Sequence, residues 1–142
     1  MDEKDNVTEQ LKELMEAYDF NVDTLARYLG LPADKVKILS RGDISFLPDD
    51  NMYRFRLFNK ISFLYLSATE DKDLKLCAFL QVLISHHGLS KKTIAEMAGV
   101  DKSDVEKMLS SPQQKVSEEI KYKVAVTVMS LRFFLKDCEP EQ

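Results

Sequence analysis

Slid against itself by 69 residues, the chain lays one apolar pattern over another without a gap. Leu11 falls on Leu80, Leu14 on Leu83, Phe20 on Leu89 and Thr24 on Thr93. Leu25-Ala26 falls on Ile94-Ala95, Gly30 on Gly99, Val36 on Val105 and Leu39 on Met108. Further on, Tyr53 meets Tyr122 and Leu66 meets Leu135. Identities are few, but the spacing of apolar residues persists, which is the mark of one supersecondary unit used twice. Two units are therefore predicted, 1–70 and 71–142, divided in the polar stretch 67–73. Gly and Pro number only four each in 142 residues. That scarcity disfavours an all-β fold built on tight turns. The predicted class is all-α, with about four helices per unit, packed through long apolar helices.

Within the first unit, Leu11, Leu14, Met15 and Tyr18 fall on one face of a helix over 8–18, which Thr8 is placed to cap. Asn21 reads as the N-cap of a helix over 22–29, and Gly30 ends it. Pro32 opens a third helix over 33–41, and Gly42 stops it. A longer helix follows over 50–67. The second unit repeats the plan: a helix over 73–86, a break at Gly88, Ser90 capping 91–98, Gly99, then Asp101 capping 102–110. Pro112 breaks the chain, and Ser117 starts a last helix with Glu118 and Glu119 in its first turn. The stretch 122–128 alternates β-branched residues and also fits a strand. A lone strand would have no pairing partner, so helix is the expectation there.

Helix, short turn with Gly, helix is the helix-turn-helix pattern. Ala26, Leu31 and Val36 would lock its angle in the first unit, and Ala95, Val100 and Val105 in the second. Residues 24–42, TLARYLGLPADKVKILSRG, resemble the lambda-repressor-like (Xre/Cro-type) helix-turn-helix family in Ala26, Gly30, Val36, Leu39, Arg41 and Gly42. The second unit matches through Ala95, Gly99, Val105 and Met108, but Ser110-Ser111 replaces the closing Arg-Gly. The resemblance implies two tandem helix-turn-helix units, with the second helix of the motif entering the DNA major groove.

The outward positions of that helix in the first unit are then Ala33, Asp34, Lys35, Lys37, Ile38 and Arg41. Lys35, Lys37 and Arg41 suit phosphates or a guanine edge, and Asp34 opposes them. In the second unit the candidate DNA contacts are Lys91, Lys92, Lys102, Ser103 and Lys107, opposed by Asp104 and Glu106. Net charge is −4, and residues 1–70 carry 9 basic and 13 acidic side chains against 11 and 11 in 71–142. A large non-specific DNA footprint is built from clustered Lys and Arg, so any contact must come from a local patch. The bland alternative for each cation is a solvated helix face.

Other chemistry is poorly supported. His86-His87 has no Cys or acidic partner at ligand spacing, so no metal is expected. No nucleophile motif, phosphate loop or carboxylate pair with a base is present, so neither enzyme activity nor a cofactor is expected. Cys77 reads as a core residue. Residues 1–6 are acidic with no apolar run behind them, and no stretch reaches transmembrane length. A cytoplasmic protein with no membrane partner is the expectation.

Helices over 52–66, 74–84 and 122–135 carry more apolar surface than one face needs. Part of that surface is expected to close a homodimer through 52–66 and 122–135. The leading functional expectation is a sequence-specific transcriptional regulator that binds double-stranded DNA as a dimer through the helix over 33–41. The alternative is a protein-interaction module, antirepressor- or adaptor-like, that keeps the fold without binding DNA.

Overall fold

The computed structural model describes residues 3–138, with side chains from Val7 onward. Met1 and Asp2, part of the acidic opening noted above, lie outside the described residues. All regular secondary structure among the described residues is helical, with no strand. It divides into two compact units between Glu70 and Asp71.

The first unit holds α1 (Glu3–Glu16), α2 (Val22–Leu29), α3 (Ala33–Ser40) and α4 (Asn51–Thr69). Leu11, Leu25, Val36, Leu39 and Ile61 are its fully buried centre, closed by Val7, Leu29, Leu47 and Leu57. The long α4 packs on α1 and α2, and α3 packs on α1 and α2. Thr8 does not cap α1. The helix starts five residues earlier, and Thr8 is buried within it. Three positions before Leu11, it lies on the same inward stripe.

Asn21 does cap α2: its Oδ1 accepts the Thr24 N–H at 3.0 Å. Gly30 ends α2 at φ 69°, and the Leu31 N–H donates to the Ala26 carbonyl at 3.0 Å. That left-handed turn costs glycine little and other residues more. Pro32 stands immediately before α3, which begins at Ala33 as expected and ends one residue early, with Arg41 as the C-cap of α3.

The second unit holds α5 (Lys72–Ser85), α6 (Lys91–Ala98), α7 (Lys102–Leu109) and α8 (Glu118–Leu135), with a 3-10 turn at Lys136–Cys138. Leu80, Leu83, Ile94, Ala95, Val105, Met108, Val124 and Val128 form its core. Asp71, Ser90 and Ser117 cap α5, α6 and α8 through their side chains. The Asp101 N–H donates to Asp104 Oδ2 at 3.2 Å across the start of α7. The ambiguous 122–128 stretch lies inside α8, with Val124 and Val128 four residues apart on its inward stripe. Cys77 is half-buried rather than central.

The two units keep the 69-residue spacing through three helices and then lose it. Buried Leu11, Leu25, Val36 and Leu39 match buried Leu80, Ile94, Val105 and Met108 at that spacing. The inward pair of α4, Leu57 and Ile61, matches Val124 and Val128 at a spacing of 67. The N-caps Asp50 and Ser117 show the same spacing. The connection before α4 runs over 41–50 and the one before α8 over 110–117, which is two residues shorter. The expected pairing of Tyr53 with Tyr122 therefore fails: Tyr53 is half-buried, and Tyr122 is 71% exposed.

Candidate nucleic-acid interface

The face of interest in the first unit is the outer side of α3 where it passes α1. Val36 and Leu39 turn inward and fix the roll of the helix. Lys37 and Arg41, four apart, then share the outer side, and both are exposed. With Lys12 of α1 they line an open groove of about 460 Å³ that also holds Glu9, Met15, Glu16 and Ser40. The Ser40 hydroxyl donates to the Lys37 carbonyl at 2.7 Å, so it closes the last turn rather than facing a ligand.

Lys35 is not part of that face. Two residues along a helix is about 200° of rotation, which sends it away from Lys37. Its Nζ lies 5.4 Å from the centre of the Phe46 ring, in the loop after α3. Asp43 is close by. The Ser45 hydroxyl donates to its Oδ1 at 2.6 Å and the Ser45 N–H at 2.9 Å. Those two bonds, with a smaller contribution from Lys35, hold the Asp43 carboxyl below its usual range.

A polar clamp holds α2 in place behind this surface. The Tyr28 hydroxyl donates to the Lys60 carbonyl at 2.8 Å, and Lys60 Nζ donates to the Tyr28 carbonyl at 2.9 Å. The ammonium also sits 5.1 Å from the Tyr28 ring centre. Partial burial pushes the Tyr28 hydroxyl up in pKa. Arg27, exposed on α2, donates from Nη2 to Thr24 Oγ1 at 3.4 Å. Neither Lys12 nor Arg27 stood out in the sequence as a site residue. Lys12 joins the groove because α1 packs on α3, a contact that helical periodicity does not encode.

The second unit arranges its cations differently. Lys92 is exposed and Lys91 half-buried at the start of α6; Lys102 and Ser103 are exposed at the start of α7, and Lys107 is half-buried further on. At the 69-residue spacing, Glu96, Glu106 and Ser110 occupy the places of Arg27, Lys37 and Arg41. Beside the start of α7 lies a groove of about 470 Å³ lined in part by Asp101, Asp104 and Glu119, with Lys123 as its one cation. His86 and His87 meet edge to face at 5.6 Å, and Arg132 Nη1 lies 3.3 Å from His87 Nε2. Among the described residues no three His, Cys, Asp or Glu gather as a metal site. None of the described helices is long and apolar enough to cross a membrane.

A family model for a helix-turn-helix domain matches residues 2–141. The chain belongs to this helix-turn-helix family. The matched residues fall in both compact units. Membership points to a DNA-binding regulator in general, and helix-turn-helix domains are typically not enzymes. Searches of the curated proteins and of the solved structures each found no match.

Proposed function

We propose that this helix-turn-helix protein is a sequence-specific transcriptional regulator that binds double-stranded DNA as a homodimer, with α3 in the major groove. The observation that carries the reading is the exposure of Lys37 and Arg41 on one side of a short helix held by the Gly30 turn. The likeness of residues 24–42 to the Xre/Cro type, and the reading of each unit as one helix-turn-helix, support it. Lys37 and Arg41 reach phosphates or the N7 and O6 acceptors of guanine. Lys35 reaches phosphates only from the flank of the Phe46 loop. In the second unit, Lys92 and Lys102 supply phosphate contacts, with Ser103 beside them; half-buried Lys91 and Lys107 contribute through their outer ends.

Apolar surface supports the dimer. On α8, Tyr122, Phe133 and Phe134 are between 63 and 74% exposed, and α4 exposes Met52, Phe55 and Phe63. A dimer that reads a symmetric site must set its two α3 helices about one DNA turn, roughly 34 Å, apart. A cytoplasmic location is the natural setting for this role.

The test is selection from fragmented genomic DNA at low and at physiological salt, beside Lys37→Glu/Arg41→Glu. A motif recovered by the wild type and lost by the variant is expected. No enrichment even at low salt would sink the DNA reading. It would leave the protein-interaction module, for which Glu96 and Glu106 are the favouring observation.

A further inference from the structure

Resting on the DNA reading above, we infer that sequence discrimination is carried wholly by the first unit. Each chain then reads one stretch of bases, although it folds two helix-turn-helix units. Three observations lead there, and each compares positions that the buried cores equate.

The first is charge. Arg27, Lys37 and Arg41 on the outer face of α2 and α3 become Glu96, Glu106 and Ser110 on α6 and α7. All of these except Ser110 are exposed. A base-reading helix must pass between two phosphate strands, where each carboxylate is repelled; α3 carries one, Asp34, while α7 carries two, Asp104 and Glu106. Asp101, Asp104 and Glu119 line the groove beside the start of α7 and add to that repulsion.

The second is the end of the helix. Arg41 leaves its guanidinium in solvent at the end of α3. Ser110 turns back instead: its hydroxyl is 2.7 Å from the Lys107 carbonyl and 3.0 Å from the Pro112 carbonyl. Gln114 adds an N–H bond to that Lys107 carbonyl at 3.0 Å. The end of α7 is thus tied into its own connection, and Ser110 offers a base nothing comparable to the Arg41 guanidinium.

The third is support. The Tyr28–Lys60 clamp fixes α2 against α4. Its counterparts in the second unit are Met97, which is 61% exposed, and Thr127. Base discrimination needs side chains held in place, and the first unit adds this polar fastening at the outer edge of α2, where the second unit joins α6 to α8 through the apolar core alone, by Ile94, Ala95, Val124 and Val128.

The experiment compares three proteins by sequencing selected DNA and by measuring affinity for the selected site and for a random duplex. They are the wild type, Lys37→Ala/Arg41→Ala in the first unit, and Glu96→Gln/Glu106→Gln in the second. All four substituted positions are exposed, and circular dichroism checks that each variant keeps its helices. The first variant is expected to lose the motif, and its ratio of specific to random affinity should fall by about tenfold or more. The second variant should keep both the motif and the ratio. A changed base preference in the second variant would overturn the inference while leaving DNA binding intact. So would a wild-type motif with two unrelated blocks per chain. A wild type that selects no motif would bring down the DNA reading, and the inference with it.

Discussion

At the scale of single residues, backbone conformation and charge placement do separate jobs. Gly30 is the clearer backbone case. Beyond Gly30 and its two chain neighbours, no atom lies within 4 Å of the position a Cβ would take there, so an alanine meets no clash with the rest of the fold. What it meets is φ 69°, a left-handed conformation that disfavours a side chain. Gly30→Ala should lower unfolding free energy by about 1 kcal/mol, measured by chemical denaturation. A loss of several kcal/mol would mean a steric role that the open space contradicts. For Asp43, the two Ser45 bonds favour the carboxylate. A folded-state pKa below the unfolded one stabilises the fold at pH values above the unfolded pKa, and that contribution is lost as pH falls through the folded one. NMR titration should find Asp43 titrating below the ordinary carboxylate range, and in Ser45→Ala its midpoint should move up.

At the scale of elements, packing decides what a sequence reader can see. Caps and helix-ending glycines are local, and Asn21, Gly30, Ser90, Gly99 and Ser117 act in the structure where the sequence put them. Inward stripes were equally legible for α2, α3, α6 and α7. The failures share a cause. Thr8 looked like a cap because Thr often is one, but its place on the stripe of Leu11 put it in the core. Lys35, Lys37 and Arg41 all read as outward positions of the helix, whereas the roll of α3 sets Lys35 on another side. The groove with Lys12 and the Tyr28–Lys60 clamp depend on which helices touch, which no local pattern states. Two element-level expectations follow. Leu39→Ala removes a fully buried side chain from α3 and should cost about 2–5 kcal/mol in thermal or urea unfolding. Tyr28→Phe removes a partly exposed hydrogen bond between α2 and α4 and should cost only about 0.5–1 kcal/mol.

At the scale of the whole molecule, the apolar surface that the cores leave over is the outstanding physical fact. Scattered exposed hydrophobics are ordinary, but Tyr122, Val126, Met129, Phe133 and Phe134 all lie on one helix of 18 residues. Sedimentation equilibrium at micromolar concentration should therefore show a dimer, and Phe133→Glu/Phe134→Glu should shift it to monomer. A wild type that stays monomeric would remove the paired recognition helices from the functional picture. Net charge of −4 also bears at this scale: DNA affinity should fall with salt only by the modest slope that a few phosphate contacts give, because binding rests on a local patch and salt also screens the repulsion from the rest of the chain.

The two-residue difference between the connections sets a rule for anyone who would exchange parts between the halves. Two residues turn an α-helix by about 200°. A hybrid spliced inside the last helix at the 69-residue correspondence would set Val126 and Ser130 where Leu57 and Ile61 belong, with Val124 and Val128 left on the outside. The crossover has to fall in the connection itself, so that each final helix travels with its own lead-in.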